Sequence, residues 1–159
     1  MPCPVADAIR IVRDDVTHPD VIALLEYHLA QAHENSPPGS VFALDLSGLR
    51  APGTILWSAW EGETLLGLAA LKTLDAEQGE VKSMRTAPAH LRRGIAARML
   101  DHVIAEARAR GLTRLSLETG SNQAFAPARQ LYRRAGFVPC GPFADYVDES
   151  FSAYFMRGI

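Results

Sequence analysis

Residues 80–100 read EVKSMRTAPAHLRRGIAARML, and they contain in turn a strand, a short loop and a long helix. The strand is predicted over Gly79–Thr86, because Pro88 has no N–H to donate to a sheet ladder. Beyond the loop, apolar residues recur at spacings of three and four to about Arg110, which is the period of a helix. Gly111 follows where a glycine commonly ends a helix. The stretch therefore predicts a strand–loop–helix unit.

The start of this helix is a candidate anion site. The first N–H groups of a helix lack internal acceptors and carry partial positive charge. Gly94 has no Cβ and Ala96 is small, so a diphosphate has room to approach the backbone. Arg92 and Arg93 add positive charge nearby. Two interpretations remain open: a pyrophosphate-binding loop, or an ordinary strand–helix turn with two solvated arginines.

Two other nucleotide-binding motifs are missing from the sequence. It contains no G-x-x-x-x-G-K-[ST] stretch, which disfavours a P-loop nucleotidase. It also contains no G-x-G-x-x-G stretch followed by an acidic residue one strand later, so a dinucleotide-binding fold has no support.

Composition narrows the class of protein. A chain of 159 residues with 48% apolar and 21% charged residues is typical of one soluble globular domain, here 1–159. A net charge of −2 gives no reason to expect nucleic acid as a partner. No apolar run suits a membrane span or signal peptide, so a cytoplasmic protein is expected. Cys3 and Cys140 are too few for a disulfide framework, and His28 and His33 lack a second cluster of ligands, so no metal is expected.

The remaining elements alternate along the chain. Short glycine-containing turns between apolar runs predict a hairpin, and strand–helix–strand predicts a parallel crossover. Asp15 or Thr17 is expected to cap the first helix. The predicted helices are His18–His33, Val41–Leu49 and Ala124–Ala135, and the predicted strands are Ala8–Arg13, Thr54–Trp60, Thr64–Leu71, Leu112–Glu118, Phe137–Val138 and Ser152–Met156.

Two motifs carry a family resemblance. RRGIAARML after a strand, and LYRRAGF farther on, resemble motifs A and B of the GNAT N-acetyltransferases. That family binds acetyl-CoA through a Q/R-x-x-G-x-G/A loop at the start of a helix. Gly94 and Ala96 match this loop, whereas Leu91 replaces its first residue. The resemblance implies an α/β GNAT fold, with a mixed, mostly antiparallel twisted sheet flanked by helices, and acetyl-CoA as cosubstrate.

The resemblance also implies which residues bind acetyl-CoA. The loop would hold the pyrophosphate, and the strand before it would pair with the pantetheine arm as with an added strand, an amide of Met84 or Arg85 polarising the thioester carbonyl. Family members often have an asparagine seven residues before the motif B tyrosine, where this chain has Phe125. The implied cofactor-binding set is Met84, Arg85, Thr86, Arg92, Arg93, Gly94, Ile95, Ala96, Ala97, Phe125 and Tyr132.

Three residues are candidates for catalysis. Glu80 lies at the offset before the loop glycine where one branch of the family has its catalytic glutamate, and Glu118 is the second candidate for the base. A base is needed because an amine must be neutral to attack. The tyrosine of L-Y-x-x-x-G-F, here Tyr132, lies near the CoA sulfur in the family and can protonate the thiolate. Strict alternation would place Glu80, Lys82 and Met84 on one strand face, so a face open to solvent is the structural alternative.

The acceptor is expected to be a primary amine on a small molecule or peptide, and acidic residues near the site favour a cationic one. Candidates for its walls, which are equally explained as surface loops, are His33, Asn35, Ser36, Phe42, Phe143, Asp145 and Tyr146. Cys140 is expected to be a packed thiol and not an acyl carrier. A non-catalytic acyl-CoA-binding module and a nucleotide- or phosphometabolite-binding domain remain alternatives, and a homodimer is left open.

Overall fold

The computed structural model describes residues 8–38, 44–147 and 150–159. Within these ranges the chain forms seven strands, four α-helices and two single-turn 3₁₀ helices at Pro88–His90 and Gln123–Phe125. The strands are β1 (Ile9–Asp14), β2 (Thr54–Glu61), β3 (Thr64–Thr73), β4 (Gln78–Thr86), β5 (Arg114–Gly120), β6 (Val138–Cys140) and β7 (Ser152–Gly158), and the α-helices are α1 (Pro19–Glu34), α2 (Leu46–Arg50), α3 (Ile95–Ala109) and α4 (Ala126–Arg134).

All seven strands belong to one sheet in the order β1-β2-β3-β4-β5-β7-β6. Every neighbouring pair is antiparallel except β4 and β5, which are parallel because α3 carries the chain back between them. The expected mixed, mostly antiparallel sheet with one crossover is confirmed, as is the hairpin of β2 and β3.

Apolar residues form two clusters that involve different helices. One joins the buried stripe of α3, including Met99 and Val103, to Tyr132 of α4. The other joins Val21 and Leu24 of α1 to residues of β2 and β3. The two long helices, α1 and α3, are amphipathic and bury their apolar stripes against the sheet. No helix in the described ranges is long and apolar enough to cross a membrane.

The first two helices differ from the sequence prediction at their starts. His18 caps α1, with its Nδ1 accepting from the Asp20 N–H at 3.1 Å. The predicted caps were wrong because the Thr17 hydroxyl donates to Asp15 instead, at 2.6 Å. Helix α2 begins only at Leu46, after its cap Asp45, so the predicted helix from Val41 is too long within the described residues. Residues 41–43 lie outside the part of the chain that the structure describes.

A β-bulge in β4 changes which side chains share a face. Lys82 pairs with Ala70 and Arg85 pairs with Leu68, so three steps along β4 match two along β3. Ser83, with a φ of 54°, absorbs the extra residue. Ala70 and Leu68 belong to the same apolar cluster, on the α1 side of the sheet. The bulge therefore places Lys82 and Arg85 on one face, and the strict alternation predicted from the sequence was wrong here.

Candidate active site

A cleft opens where β4 and β5 part. The two strands pair only over Gln78–Glu80 and Arg114–Ser116, although β4 continues to Thr86 and β5 to Gly120. Along the described residues, the β5-facing edge of Met84–Thr86 has no strand partner. A cavity of about 420 Å³ lies here, bounded by the end of α1, by β4 and β5, and by the start of α4. An unpaired edge beside such a cavity is a ready site for an extended ligand.

The cleft brings together many of the residues singled out in the sequence. The three catalytic candidates line it, and so do three further cofactor candidates: Glu80, Glu118 and Tyr132, with Met84, Arg85 and Phe125. Thr86 and the loop Arg92–Ala97 are not part of its lining, but Leu91, just before the loop, is. One end of the cavity therefore lies next to the loop, and the side chains of Glu80 and Glu118 line its interior.

Glu80 is buried and bonded on one oxygen. Its exposure is 2%, so the alternative of a strand face open to solvent is wrong. Oε2 accepts from Lys82 Nζ at 3.1 Å and from the Tyr146 hydroxyl at 2.5 Å. In the described chain no hydrogen bond reaches Oε1. Lys82 also donates to the Tyr146 oxygen at 2.9 Å. Burial, and then the Glu80 carboxylate, raise the pKa of Tyr146, so its phenol remains protonated.

Tyr132 enters the cleft from α4. Its side chain is buried, and its ring meets Phe137 edge to face at a centroid distance of 6.0 Å. Burial raises the pKa of Tyr132, and the negative charge of Glu118 raises it further. The phenol therefore keeps its proton at neutral pH, so it is suited to donate a proton and not to remove one.

Arg85 contributes a side chain as well as a backbone to the cleft. Its Nε donates to Nδ1 of His28 on α1 at 2.9 Å, and its guanidinium lies 5.6 Å from the Tyr27 ring centroid. Burial, and then the charge of Arg85, lower the pKa of His28 to about 4, so this imidazole is a neutral acceptor at neutral pH. Sequence reasoning missed this pair because only the β4 bulge turns Arg85 toward α1.

The end of α1 forms part of the wall of the cleft, and two of the acceptor-side candidates lie there. Asn35 and Ser36 line the cleft, and the Asn35 main-chain oxygen accepts from Asn122 Nδ2 at 2.7 Å. That hydrogen bond ties α1 to the loop after β5. His33 is exposed and outside the lining, and Phe42 lies outside the described residues.

Phe125 packs directly on Gly120. A Cβ at position 120 would lie 2.0 Å from Cδ2 of the Phe125 ring, far inside van der Waals contact. Glycine at this position therefore lets the ring lie against the end of β5. In this way Phe125 lines the cleft at the position where the sequence resemblance implied an asparagine.

Gly94 shapes the start of α3. It is the N-cap with a φ of 77°, and nothing lies within 4 Å of where its Cβ would be. The Arg98 N–H donates to the Gly94 carbonyl at 3.1 Å, and the N–H groups of Ile95, Ala96 and Ala97 have no hydrogen-bond acceptor in the described ranges. Free amides beside open space at the start of a 15-residue helix fit a pyrophosphate.

The two loop arginines are not equivalent. Arg93 pairs with Glu61 at 2.9 Å and contacts His90 Nδ1 at 3.0 Å, so its charge is largely matched. Arg92 is exposed, with a φ of 64° and no ion pair among the described residues. Of the two, Arg92 is the cation left for a ligand at the mouth.

The segment before β7 contacts Glu80 through Tyr146, but its three acceptor-side candidates are not part of the cleft lining. Phe143, Tyr146 and Tyr154 form an aromatic cluster with centroid distances from 4.9 to 6.0 Å, and Asp145 is exposed. Cys140 lies outside the cleft, and burial raises the pKa of its thiol, which does not suit a nucleophile. Within the described ranges, no group of three His, Cys, Asp or Glu side chains is arranged to hold a metal ion.

Comparisons with known proteins identify the family of this chain. The family model of the acetyltransferase (GNAT) family matches residues 21–137. The chain is 50% identical over 151 residues to the uncharacterized N-acetyltransferase YsnE of Bacillus subtilis, covering 95% of this chain and 100% of the relative. It is 53% identical over 136 residues to the uncharacterized N-acetyltransferase YedL of Escherichia coli, covering 86% of each. A GNAT family acetyltransferase from Elizabethkingia anophelis, solved with acetyl-CoA bound, has a TM-score of 0.70 at 19% identity, covering 96% of this chain and 99% of that one. The chain therefore belongs to the acetyltransferase (GNAT) family.

Proposed function

We propose that this chain, acting as one cytoplasmic domain, transfers the acetyl group of acetyl-CoA directly to a primary amine. The observation that carries the proposal is the parting of β4 and β5 beside the Gly94-capped helix. It provides an unpaired strand edge and titratable side chains at one cleft, and free helix amides just beyond Leu91 at the end of that cleft. The acceptor is a small molecule or a peptide that presents its amine within that cleft.

Binding of acetyl-CoA divides between two parts of the chain. The amides of Ile95 to Ala97, with Arg92, take the pyrophosphate at the start of α3. The free edge of Met84–Thr86 takes the pantetheine arm, whose amides pair with the backbone as a strand would. An N–H of this edge is then placed to donate to the thioester oxygen, where negative charge develops.

Glu80, Glu118 and Tyr132 carry out the proton transfers of the reaction. Glu80, through its unbonded Oε1, or Glu118 removes a proton from the bound ammonium, which gives a neutral amine. The amine nitrogen bonds to the acetyl carbon to give a tetrahedral oxyanion, which then expels the thiolate as the carbon–sulfur bond breaks. Tyr132, which burial keeps protonated, donates to the departing sulfur and is reprotonated by the second proton that the nitrogen loses in becoming an amide. This scheme transfers the acetyl group directly, with no acyl-enzyme, and involves no metal.

The competing function is an acyl-CoA-binding module without catalysis. It explains the helix start and the strand edge, but it gives no reason for two carboxylates and a protonated tyrosine around the same cleft. Those side chains favour an enzyme, because Tyr132, whose pKa burial raises, lines the same cleft as both carboxylates, and perturbed titratable groups gather at catalytic sites.

The test is turnover. Purified protein is supplied with acetyl-CoA and a panel of amines, thiol release is followed, and acetylated products are identified by mass spectrometry. Replacing the base, by Glu80→Gln or Glu118→Gln, is expected to lower kcat about 100-fold. Glu63→Gln, in the exposed turn between β2 and β3, is the matched control. Binding of acetyl-CoA without turnover of any amine would instead support the non-catalytic module.

A further inference from the structure

Arg85 is a cation in the cleft that lacks an acidic partner. The ion pairs of the described chain join Lys82 to Glu80, Arg93 to Glu61, and His102 and Arg110 to Glu106. None involves Arg85, which is partly buried between α1 and β4. Removing a charge from water without a counter-ion is unfavourable, and burial lowers the pKa of this guanidinium accordingly. The positive charge of Arg85 therefore has no carboxylate to balance it among the ion pairs of the described residues.

The neighbours of Arg85 hold it without neutralising it. His28 accepts from Nε as a neutral imidazole, and the Tyr27 ring contributes only its electron-rich face. No hydrogen bond within the described ranges uses the two terminal nitrogens. Since Arg85 lines the cleft, these nitrogens are the donors available to a ligand there. Two parallel N–H groups match the two oxygens of a carboxylate.

Lys82 does not serve the same purpose. Although the bulge turns it toward the same face as Arg85, its ammonium is engaged by Glu80 and by the Tyr146 oxygen. The cleft therefore offers one unmatched positive group on its β4 side. One guanidinium balances a single negative charge, which favours a carboxylate over a doubly charged phosphate. The phosphates of CoA are assigned to the start of α3 and not to this face.

Two glutamates place carboxylates in the same cleft as the Arg85 guanidinium. Glu118, on β5, lines the same cleft as Arg85, and Glu80 lies on β4 between the two strands' paired and parted regions. A ligand with an ammonium at one end and a carboxylate at the other complements both sets. A purely cationic amine, which the sequence favoured, would leave Arg85 unmatched.

We propose that the acceptor carries a carboxylate as well as its amine, and that the Arg85 guanidinium, oriented by His28, binds that carboxylate. This inference rests on the proposed acetyl transfer. The substrate class is thus an amino acid or a related amino carboxylate. Arg85 acts as a specificity-determining residue, since it holds the acceptor at a group that does not react.

The experiment compares acceptors that differ only in this group. α-Amino acids are assayed against their primary amides, and ω-amino acids against the corresponding alkylamines, with thiol release giving kcat and KM for each. The amide partner has the less basic amine, so chemistry alone favours the amide at neutral pH. A preference for the carboxylate would consequently report binding. Wild type, Arg85→Gln and Arg85→Lys are compared, with Arg110→Gln, at the far end of α3, as control.

The wild type is expected to prefer the carboxylate of at least one pair by about tenfold or more in kcat/KM, and Arg85→Gln to abolish that preference through KM. Arg85→Lys should retain part of it, and Arg110→Gln all of it. The Kd for acetyl-CoA, measured by calorimetry, should be unchanged in Arg110→Gln. In the Arg85 variants it should change far less than the carboxylate preference, because acetyl-CoA is proposed to pair with the main chain at position 85 and not with the guanidinium. Loss of activity on both members of a pair alike, or an enzyme that binds acetyl-CoA but uses no carboxylate-bearing amine, would overturn the inference. Failure to bind acetyl-CoA at all would instead overturn the proposed function.

Discussion

The Tyr146 hydroxyl donates to Glu80 Oε2 at 2.5 Å, and Lys82 donates to the same oxygen at 3.1 Å. The segment before β7 thereby holds a carboxylate that is only 2% exposed on the floor of the cleft. This contact fixes the glutamate in one orientation while leaving its second oxygen unbonded. A buried charge on a catalytic candidate is tolerated here because an ammonium and a phenol compensate for lost water.

Removing the Lys82 ammonium tests how strongly a buried, unpaired Glu80 carboxylate destabilises the folded protein. Lys82→Met leaves Glu80 without its counter-ion, and the free energy of unfolding is expected to fall by about 3–5 kcal/mol. Adding Glu80→Gln removes the uncompensated charge and should restore most of the stability. Urea denaturation of both variants measures this. Equal losses in the single and double variants would show that Lys82 acts by packing and not by charge.

Tyr132→Phe tests proton donation to the leaving sulfur. The ring and its contact with Phe137 remain, so the fold and the Kd for acetyl-CoA should not change. We expect kcat to fall by about tenfold, a modest effect because a thiolate is already a good leaving group. Steady-state kinetics with saturating acetyl-CoA measures kcat. An unchanged kcat would mean that water, and not Tyr132, supplies the proton.

His28 should make stability depend on pH. The folded pKa is about 4, against 6.5 for an ordinary histidine, so between these values the unfolded chain binds a proton that the folded chain does not. The contribution of neutral His28 to the free energy of unfolding is therefore fully present above pH 6.5 and is lost as the pH falls toward 4. His28→Asn keeps an acceptor for Arg85 but cannot titrate. The wild type should lose on the order of 2 kcal/mol more than this variant between pH 7 and 4.5. Parallel pH profiles would contradict the assignment.

Gly120→Ala should disturb the cleft through Phe125. The new methyl would lie 2.0 Å from the ring, so the ring must move. We expect acetyl-CoA to bind about tenfold more weakly, because Phe125 lines the cavity. Gly141→Ala is the matched control, since nothing lies within 4 Å of its added methyl. Calorimetric titration gives both constants, and equal affinities in the two variants would show that the ring position does not matter.

Much of this architecture can be predicted from the sequence, because the residues that specify it lie close together along the chain. The apolar stripe of α3, the glycine at its start and the LYRRAGF motif each occupy one short stretch. A long, strongly periodic helix after a strand fixes the crossover, and the crossover places the loop beside the strand edge. Glu80, Glu118 and Tyr132 converge on one cleft, although they are 38 and 14 residues apart along the chain.

The remainder depends on contacts between distant segments. Ser83, and not a glycine, absorbs the bulge in β4, so nothing in the local sequence marks the point where alternation fails. Without that bulge Arg85 is placed on the wrong face, and its pairing with His28, 57 residues away, is invisible. The contact between Tyr146 and Glu80 spans 66 residues and likewise follows only from the folded chain.

The most direct test of acetyl-CoA binding is a calorimetric titration of wild type, Gly94→Glu and Gly111→Glu. Both glycines have positive φ, 77° and 82°, with open space around them, and they flank opposite ends of α3. A glutamate at Gly94 places negative charge and bulk where the pyrophosphate is proposed to lie, whereas one at Gly111 imposes similar backbone strain far from it. The account predicts that Gly94→Glu weakens acetyl-CoA binding at least about tenfold while Gly111→Glu binds as the wild type does. Equal binding by all three proteins, or none by the wild type, would contradict it.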